Sequence, residues 1–293
     1  MTGIKWTDRT HNCVHGCSIA SEGCANCYAL TLTYYLEHGG DPRRPNAPTP
    51  FAGQNLTYLA SDGAPRWTGR VIPAMHRIDD PISVKSPLLW FANSMYDFFH
   101  ENMAEQWIDQ ILDVYRRAHW HQFQILTKRS ERLLKLDSSI DWPENVWMGV
   151  SVENDRWVGR VDHLRQTGAK VKFLSLEPLI GSVPSLDLTG IDWIIVGGES
   201  GPSYRPMKVE WVEEIAEKCE ASGSALFVKQ DSAKRDAVKG RFKHYPHLWQ
   251  QKHFPIPSAD NDQLRTFYRE TKGVAKLMQF HADVQDVLDN LSE

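Results

Sequence analysis

The chain has 293 residues, which is enough for one large domain or two small ones. It is 41% hydrophobic and 24% charged, as is typical of a soluble globular protein, and it has no apolar run long enough to span a membrane. A net charge of -4 argues against a general nucleic-acid coat protein and leaves room for a local basic groove.

The first distinctive stretch is the cysteine-rich segment NCVHGCSIASEGCANCY at residues 12–28. It holds Cys13, Cys17, Cys24 and Cys27, four of the five cysteines. No secretion signal precedes it, so we expect a cytoplasmic protein, where clustered cysteines bind metal or do redox chemistry more often than they form disulfides. The spacing leaves two sites open: a four-thiolate zinc site, or an iron–sulfur cluster on three cysteines with one iron free for a ligand.

After this segment the pattern predicts a helix at Ala29–Leu36 and a long irregular excursion at Gly39–Gly69, a lid or edge over the site. Apolar runs that predict strands lie at Ile4–Thr7, Arg70–Ala74, Leu88–Asn93, Gln122–Leu126, Val146–Val152, Val171–Leu176, Trp193–Val196 and Ala225–Val228. Helical spacing of apolar residues predicts further helices at Met103–Ala118, Val158–Leu164 and Val209–Cys219. Cys219 lies on the apolar stripe of the last helix, which indicates a core residue.

Strands that alternate with helices predict an α/β fold with a parallel sheet. The eight predicted strands fit a (β/α)8 TIM-type barrel, distorted or partial, and a doubly wound open sheet is the alternative. We assign residues 1–241 to the barrel, with the insertion at 39–69, and residues 242–293 to a C-terminal helical extension packed on it. Two helices are predicted in the extension, at Gln263–Tyr268 and Val274–Leu291.

Polar residues follow the predicted strands at the point where each strand ends. Because chemistry in parallel sheets gathers at the carboxyl ends of the strands, these residues predict one lined cavity. The candidates for cofactor binding are Asn93, Ser151, Glu153, Gly197, Gly198 and Glu199. The candidates for catalysis or substrate binding are Asp97, His100, Lys128, Glu177, Lys229 and Gln230.

Two of these features have a specific chemical interpretation. The run VGGESG lets backbone amides approach a ligand, and the carboxylate of Glu199 suits an ammonium group or a ribose hydroxyl, although the glycine pair also fits a tight strand-to-helix turn. Lys128 and Arg129 could form a solvated edge, but their position directly after an apolar strand favours an anion site. The stretch Lys229–Lys243 carries six Lys or Arg against two Asp, which fits either a solvated surface helix or a phosphate-facing patch.

Seven segments together resemble a widespread phage-associated three-cysteine family of unknown function, which is similar to the radical SAM enzymes. They extend over about residues 3–231 and are GIKWTD, GCSIASEGCANCYA, FANSMYDFFHE, FQILTKRSERL, NVWMGVSVEN, KFLSLEPLIG and DWIIVGGESGPSYRP. The first gap between the matching cysteines is six residues, wider than the usual three of radical SAM enzymes. The Gly-Gly-Glu run follows a late strand here and an early one in that superfamily.

The resemblance implies a 4Fe-4S cluster on Cys17, Cys24 and Cys27, with Cys13 as an extra cysteine. It implies S-adenosyl-L-methionine (SAM) as the cofactor, cleaved to a 5′-deoxyadenosyl radical. The implied substrate is a nucleobase, such as an amino-acid-modified thymine in phage DNA, which the enzyme isomerises as a flipped or single-stranded base. The implied partners are this nucleotide or DNA and an electron donor such as flavodoxin or ferredoxin, in the host cytoplasm if the gene belongs to a phage.

A second hypothesis belongs to a different functional class. If Cys13 joins the other three cysteines, the site becomes a structural zinc centre in a non-redox barrel. Such a barrel would bind or hydrolyse nucleic acid with the carboxylates and the histidine at its strand ends. A metal-free adaptor for a partner enzyme is a third possibility, and the polar strand ends argue against it.

Overall fold

The computed structural model describes residues 4–41, 46–234 and 239–255. The strands are β1 (Arg9–Thr10), β2 (Val14–His15), β3 (Thr57–Leu59), β4 (Pro65–Trp67), β5 (Ile72–Pro73), β6 (Leu89–Phe91), β7 (Gln122–Thr127), β8 (Val146–Ser151), β9 (Val171–Leu176), β10 (Trp193–Gly197) and β11 (Ala225–Gln230). The α-helices are α1 (Tyr28–His38), α2 (Asp80–Ser83), α3 (Glu105–Arg117), α4 (Ser130–Asp137), α5 (Gly159–Arg165), α6 (Val209–Ser222) and α7 (Pro246–Trp249). Short 3-10 helices lie at Glu22–Cys24, Met75–Arg77, Asp155–Trp157 and Gly240–His244.

The centre of the fold is a seven-stranded sheet in the order β1-β6-β7-β8-β9-β10-β11. Every neighbouring pair is parallel. The sheet curls into a half-barrel, and β1 and β11 are not paired with each other, so a gap remains between them. The α/β class and the parallel sheet are therefore confirmed, in the partial form and not as a closed eight-stranded barrel.

One predicted strand is wrong, and another is shorter than predicted and lies outside the main sheet. The segment Ile4–Thr7 forms a turn, and the first strand of the sheet is β1, because Trp6 is only 3% exposed and packs inside the half-barrel. Of Arg70–Ala74, only β5 is a strand, and it pairs antiparallel with β2 outside the main sheet. Pro73 has no N–H to donate, which suits a short edge ribbon and not a central strand.

The other predicted elements lie close to β6–β11, α1, α3, α5 and α6. Helix α4 was not predicted. The described parts of the excursion, 39–41 and 46–69, contain the hairpin β3–β4 within otherwise irregular chain. Cys219 is 4% exposed within α6, so its assignment to the core is confirmed. Among the helices in the described ranges, none has the length and apolar character to cross a bilayer.

Both faces of the sheet are apolar. Alternate strand residues face α3–α6 on the outer side and form the larger core. The inner side is filled by large rings: Trp6 lies 4.8 Å from Phe91 on β6 and 6.1 Å from Trp193 on β10, measured between ring centroids. One indole that touches strands this far apart in the sheet order requires a concave face. The rest of this inner core comprises Leu89, Trp147, Val171, Phe173, Ile195, Phe227 and Phe254.

The described part of the C-terminal extension packs on the sheet. Phe242 and Leu248 are buried in the outer core. The backbone at 251–253 runs antiparallel to β11, since Val228 N donates to Gln251 O and His253 N donates to Leu226 O. The two helices predicted at 263–268 and 274–291 lie outside the described residues.

Candidate cysteine-lined active site

A cavity of about 250 Å³ lies at the carboxyl ends of the sheet strands. The loop between β2 and α1 contributes three thiols to one wall, those of Cys17, Cys24 and Cys27. The strand ends contribute the other walls, and the predicted candidates among them are Asn93, Asp97, Lys128, Ser151, Glu177, Gly198, Glu199, Lys229 and Gln230. The structure therefore brings most of the predicted site residues together around the cysteines.

The three cavity cysteines are free thiols of intermediate exposure. Burial raises the pKa of Cys17 to about 12, with a further contribution from the charge of Asp97. Burial also raises the pKa of Cys27. In the absence of a cation these two side chains are neutral, and binding of a metal has to displace their protons.

Cys13 lies apart from the other three. Its side chain is 0% exposed and belongs to the outer core, with Sγ 3.1 Å from Nε2 of His11. It does not line the cysteine cavity. The chain turns at Gly16, which has a φ of 98°, between Cys13 and Cys17. This placement of Cys13 argues against the four-thiolate zinc hypothesis. Over residues 4–41, 46–234 and 239–255, no group of three or more His, Cys, Asp or Glu is arranged to hold a single metal ion.

One end of the cysteine loop is held at Ser18. Its hydroxyl lies 2.9 Å from Nε2 of His100 and donates to Glu101 over 2.8 Å, and Arg129 donates to its carbonyl over 3.1 Å. His100 was predicted to be catalytic, but it is 0% exposed and lies behind Ser18, outside the cavity lining. Burial lowers its pKa, so the ring is neutral and positions the loop.

The middle of the loop is held by Glu153, a predicted cofactor ligand. This carboxylate is 0% exposed and does not line the cavity. It accepts hydrogen bonds from Ser21 and Lys128, both at 2.5 Å, and from Arg160 at 2.9 Å. Burial opposes its ionisation, but the two cations outweigh burial and hold its pKa below the usual range. Glu153 is therefore a positioning residue.

Gly23 is the point where the loop meets this carboxylate. A Cβ atom built on Gly23 would lie 2.5 Å from Oε1 of Glu153, so only glycine fits without a shift of the side chain. Next to it, Glu22 accepts from Asn154 Nδ2 at 2.9 Å and from Trp157 Nε1 at 3.0 Å. The end of β8 thus fixes the loop between Cys17 and Cys24.

Asp97 lines the cavity, but the scaffold already occupies its oxygens. It accepts from Thr127 Oγ1 at 2.6 Å, from Lys128 N at 3.0 Å and from Arg129 Nη1 at 2.9 Å. Asn93 likewise bridges two strands, since its amide donates to Leu126 O at 2.6 Å and accepts from Leu126 N at 3.0 Å. Both residues connect β6 to β7 beneath the cysteines.

The glycine pair after β10 is required by packing. A Cβ on Gly198 would lie 2.2 Å from Ser232 N, and one on Gly197 would lie 2.6 Å from Oε1 of Glu177. Gly197 does not line the cavity. Glu199 does, and it is fixed by Arg205, whose backbone N and Nε donate to it over 2.8 and 2.9 Å. The sequence predicted that these glycines let a ligand approach the backbone closely. In the structure, the atoms that approach them belong to Ser232 and Glu177.

Glu177 and Lys229 form the charged floor of the cavity. Lys229 Nζ lies 2.9 Å from Glu177 Oε1, and Trp6 Nε1 donates to Glu177 Oε2 over 3.2 Å. The side chains of Glu177 and Lys229 are 14% and 21% exposed, so both charges remain accessible from the cavity. This pair can bind the charged groups of a ligand.

The basic stretch Lys229–Lys243 does not form one phosphate-facing patch in its described part. Lys229 points into the cavity floor, whereas Arg241 pairs with Asp231 at 2.5 Å and also donates to the carbonyl of Met207. Burial of Asp231 opposes ionisation, and Arg241 outweighs it and lowers the pKa of that carboxyl.

Sequence reasoning missed two residues that hold the site: Arg205 donates to the carbonyl of Glu22 in the cysteine loop, and Trp6 donates to Glu177. Neither stands directly after a predicted strand, so no sequence signal pointed to them. Arg129, predicted together with Lys128 at a strand end, lines the cavity and donates to the carbonyl of Ser18. Tyr28, next to Cys27, also lines the cavity, and its hydroxyl donates to Ser94 O over 2.9 Å.

The comparisons with known proteins give a family but no chemistry. No curated protein and no solved structure matches the chain. One family model, described as "Protein of unknown function (DUF5131)", matches residues 1–260, which include every strand and helix described above. The chain therefore belongs to the DUF5131 family.

Proposed function

We propose that this protein is a radical SAM enzyme in which Cys17, Cys24 and Cys27 hold a 4Fe-4S cluster. The observation that carries the proposal is the placement of these three thiols around one cavity, with Cys13 outside it. The cavity lies at the carboxyl ends of a curled parallel sheet, where barrel enzymes place their chemistry. Three thiolate ligands leave one iron open for a chelating cosubstrate.

The donor set fits such a cluster. A single zinc ion needs its thiolates about 3.8 Å apart, the edge of a tetrahedron with Zn–S bonds of about 2.3 Å. A cubane attaches its thiolates to separate iron atoms, so its ligands lie farther apart. Burial disfavours bare thiolates at Cys17 and Cys27, and a bound cation that replaces the proton removes that cost.

The chemistry that the cluster supplies when bound is one-electron cleavage of SAM, which yields a 5′-deoxyadenosyl radical able to take a substrate hydrogen. The residues of the chain bind and orient the ligands. Glu199, held by Arg205, can accept a hydrogen bond from an ammonium group or a ribose hydroxyl. Lys229, paired with Glu177, can bind an anionic group. An electron donor such as flavodoxin or ferredoxin is the partner that this chemistry requires.

For the substrate, the proposal is a nucleobase, such as an amino-acid-modified thymine in phage DNA, which the enzyme isomerises. The carboxylate of an amino-acid adduct has a complement in Lys229 on the cavity floor. The cysteine loop forms one wall of the cavity, and a cavity of about 250 Å³ does not accommodate a base pair within a duplex, so the base has to be single-stranded or flipped to enter. The support for this substrate is the charge complementarity between its carboxylate and Lys229.

The test is the metal content of protein purified without oxygen, followed by reaction with SAM and dithionite. The expected result is about four iron and four sulfide per chain, together with release of 5′-deoxyadenosine. Replacing Cys17, Cys24 or Cys27 with Ala is expected to abolish both iron binding and SAM cleavage.

The matched controls are Cys13→Ala and Cys219→Ala, which remove buried cysteines that do not line the cavity. Both variants should retain iron and SAM cleavage, even where the loss of packing lowers their stability. Stoichiometric zinc without iron after anaerobic reconstitution, or loss of iron from Cys13→Ala alone, would overturn the proposal.

A further inference from the structure

A second and larger space lies in the gap between β1 and β11, the first and last strands of the sheet. This groove has a volume of about 1130 Å³. Thr10 on β1 and Gln230 on β11 lie on opposite sides of it, and β5, α1 and the excursion near Phe51 complete its walls. Because the barrel does not close, the half-barrel has a lateral opening between β1 and β11.

The groove leads into the cysteine cavity. Both spaces are lined by a shared set of residues: Tyr28, Ser94, Met95, Ser200, Lys229 and Gln230. A ligand that lies in the groove therefore reaches the cavity floor at Lys229. The lateral opening is an access route to the cysteines for a ligand much longer than the cavity itself.

The lining of the groove is basic. It contains Lys5, His76, Arg77 and Lys229, and within the described part of the chain it includes no Asp or Glu. Arg77 pairs with Asp80 and Lys229 pairs with Glu177, and both carboxylates lie outside the groove lining. In a chain with a net charge of -4, a groove of this size without carboxylates favours an anionic ligand.

His15 also lines the groove but contributes no charge at neutral pH. Burial lowers its pKa to about 4, and its ring lies 4.4 Å from that of Phe51, measured between centroids. At the junction with the cavity stands Tyr28, which is 57% exposed. The hydrogen bond from its hydroxyl to Ser94 O fixes this ring, so it is a preformed platform for a flat apolar group.

We propose that the groove binds single-stranded nucleic acid, with the phosphate backbone along Lys5 and Arg77 and one base stacked on Tyr28 at the entrance to the cavity. Basic grooves that carry exposed aromatic rings bind single strands through these two contacts. The inference that the groove guides the substrate to the cysteines rests on the proposed function. Binding of a single strand to the groove needs neither the cluster nor SAM, so groove binding and the proposed function can be disproved separately.

The test measures the affinity of the full chain for a fluorescent single-stranded oligothymidylate as a function of salt. The charge-reversal variant Lys5→Glu/Arg77→Glu is expected to bind about tenfold more weakly at low salt, and its salt slope should fall by about 0.7 per lost phosphate contact. The matched control, Lys135→Glu/Arg117→Glu, changes the same residue types at exposed positions that line neither space. It should bind as the wild type does.

A second pair of variants tests the platform. Tyr28→Phe should retain binding, whereas Tyr28→Ala should weaken it several-fold at every salt concentration, since stacking is not electrostatic. Equal loss in the reversal variant and its control, or equal binding of an oligomer with an uncharged backbone, would overturn the proposal. Loss of iron chemistry with intact groove binding would instead count against the proposed function alone.

Discussion

Four buried histidines are kept neutral by the fold: His11, His15, His100 and His121. Burial lowers the pKa of each, and for His15 and His121 to about 4. The contacts of His121 require a neutral ring. Its Nδ1 accepts from Leu88 N over 3.1 Å, while Nε2 lies 3.0 Å from the carbonyls of Pro81 and Val84. Protonation of Nδ1 would break the first bond and place a charge in the core.

These histidines predict a loss of stability in mild acid. Unfolding returns each ring to a pKa of about 6.5, so the unfolded chain binds more protons below that pH. The contribution is therefore fully present above about pH 6.5 and is lost as the pH falls towards 4. Between pH 7 and 5, His15 and His121 should each cost about 1–2 kcal/mol in the free energy of unfolding.

Urea unfolding at the two pH values measures this loss, with His121→Asn and His119→Asn compared. His119 is exposed and only two residues away, so its replacement should leave the pH dependence unchanged. His121→Asn should remove one histidine's share of it, although the variant is less stable overall. The same pH dependence in both variants would contradict this account.

The roles of single site residues were harder to predict than their location. Glu153, His100 and Asp97 lie at the predicted strand ends, yet their polar atoms hold the cysteine loop and the neighbouring strands. A sequence pattern places a residue at a strand end, but the direction of its side chain depends on partners far along the chain. Ser21 and Glu153, for example, are 132 residues apart.

At the scale of elements, the turn between β2 and the cysteine loop is tightly constrained. Gly16 has a φ of 98°, which side-chain-bearing residues rarely adopt. A Cβ atom there would lie 2.1 Å from the carbonyl oxygen of Arg70, a backbone atom that cannot rotate away. This turn brings Cys17 to the cavity and leaves Cys13 in the outer core.

Gly16→Ala should therefore destabilise the protein by more than about 2 kcal/mol, since strain and a backbone clash add. Gly53→Ala is the matched control, because Gly53 has a φ of 75° with no atom within 4 Å of a built Cβ. It should cost only about 1 kcal/mol, from the backbone conformation alone. Thermal unfolding of the two variants measures their stabilities. A similar loss of stability in both would show that the contact with Arg70 is unimportant.

Elements with long apolar runs could be predicted from the sequence, and those fixed by tertiary contacts could not. The buried strands β7–β11 are rich in apolar residues, and α3 and α6 have a clear helical period. Helix α4 presents only Leu133 and Leu136 to the core with Ser130, which is too weak a pattern to detect. The turn at 4–7 has the alternation of a strand but serves to bury Trp6.

At the scale of the whole molecule, the count of strands did not determine closure of the barrel. Closure depends on whether the first and last strands meet, and β1, with only two residues, pairs with β6 alone. The inner face is instead filled by rings from both ends of the described chain. Trp193 lies 6.1 Å from Trp6 and 5.2 Å from Phe254, so these residues close the base of the half-barrel.

Trp6 therefore stabilises both the inner core of the sheet, through its ring contacts, and the cavity floor, through its hydrogen bond to Glu177. Trp6→Ala should cost about 3–5 kcal/mol in the free energy of unfolding, because it empties a large buried volume. It also removes the N–H that donates to Glu177. Trp211→Ala, a change of the same type at a partly exposed residue of α6, should cost less than half as much.

Trp6→Phe separates the two roles of the indole, since it keeps most of the apolar volume but removes the N–H that donates to Glu177. It should unfold closer to the wild type than Trp6→Ala, while both variants change the environment of the Glu177–Lys229 pair. Urea titration of the three variants gives the stabilities. If Trp6→Ala costs no more than Trp211→Ala, the inner face does not depend on its N-terminal ring, and the half-barrel has to be stabilised by the sheet and its outer helices alone.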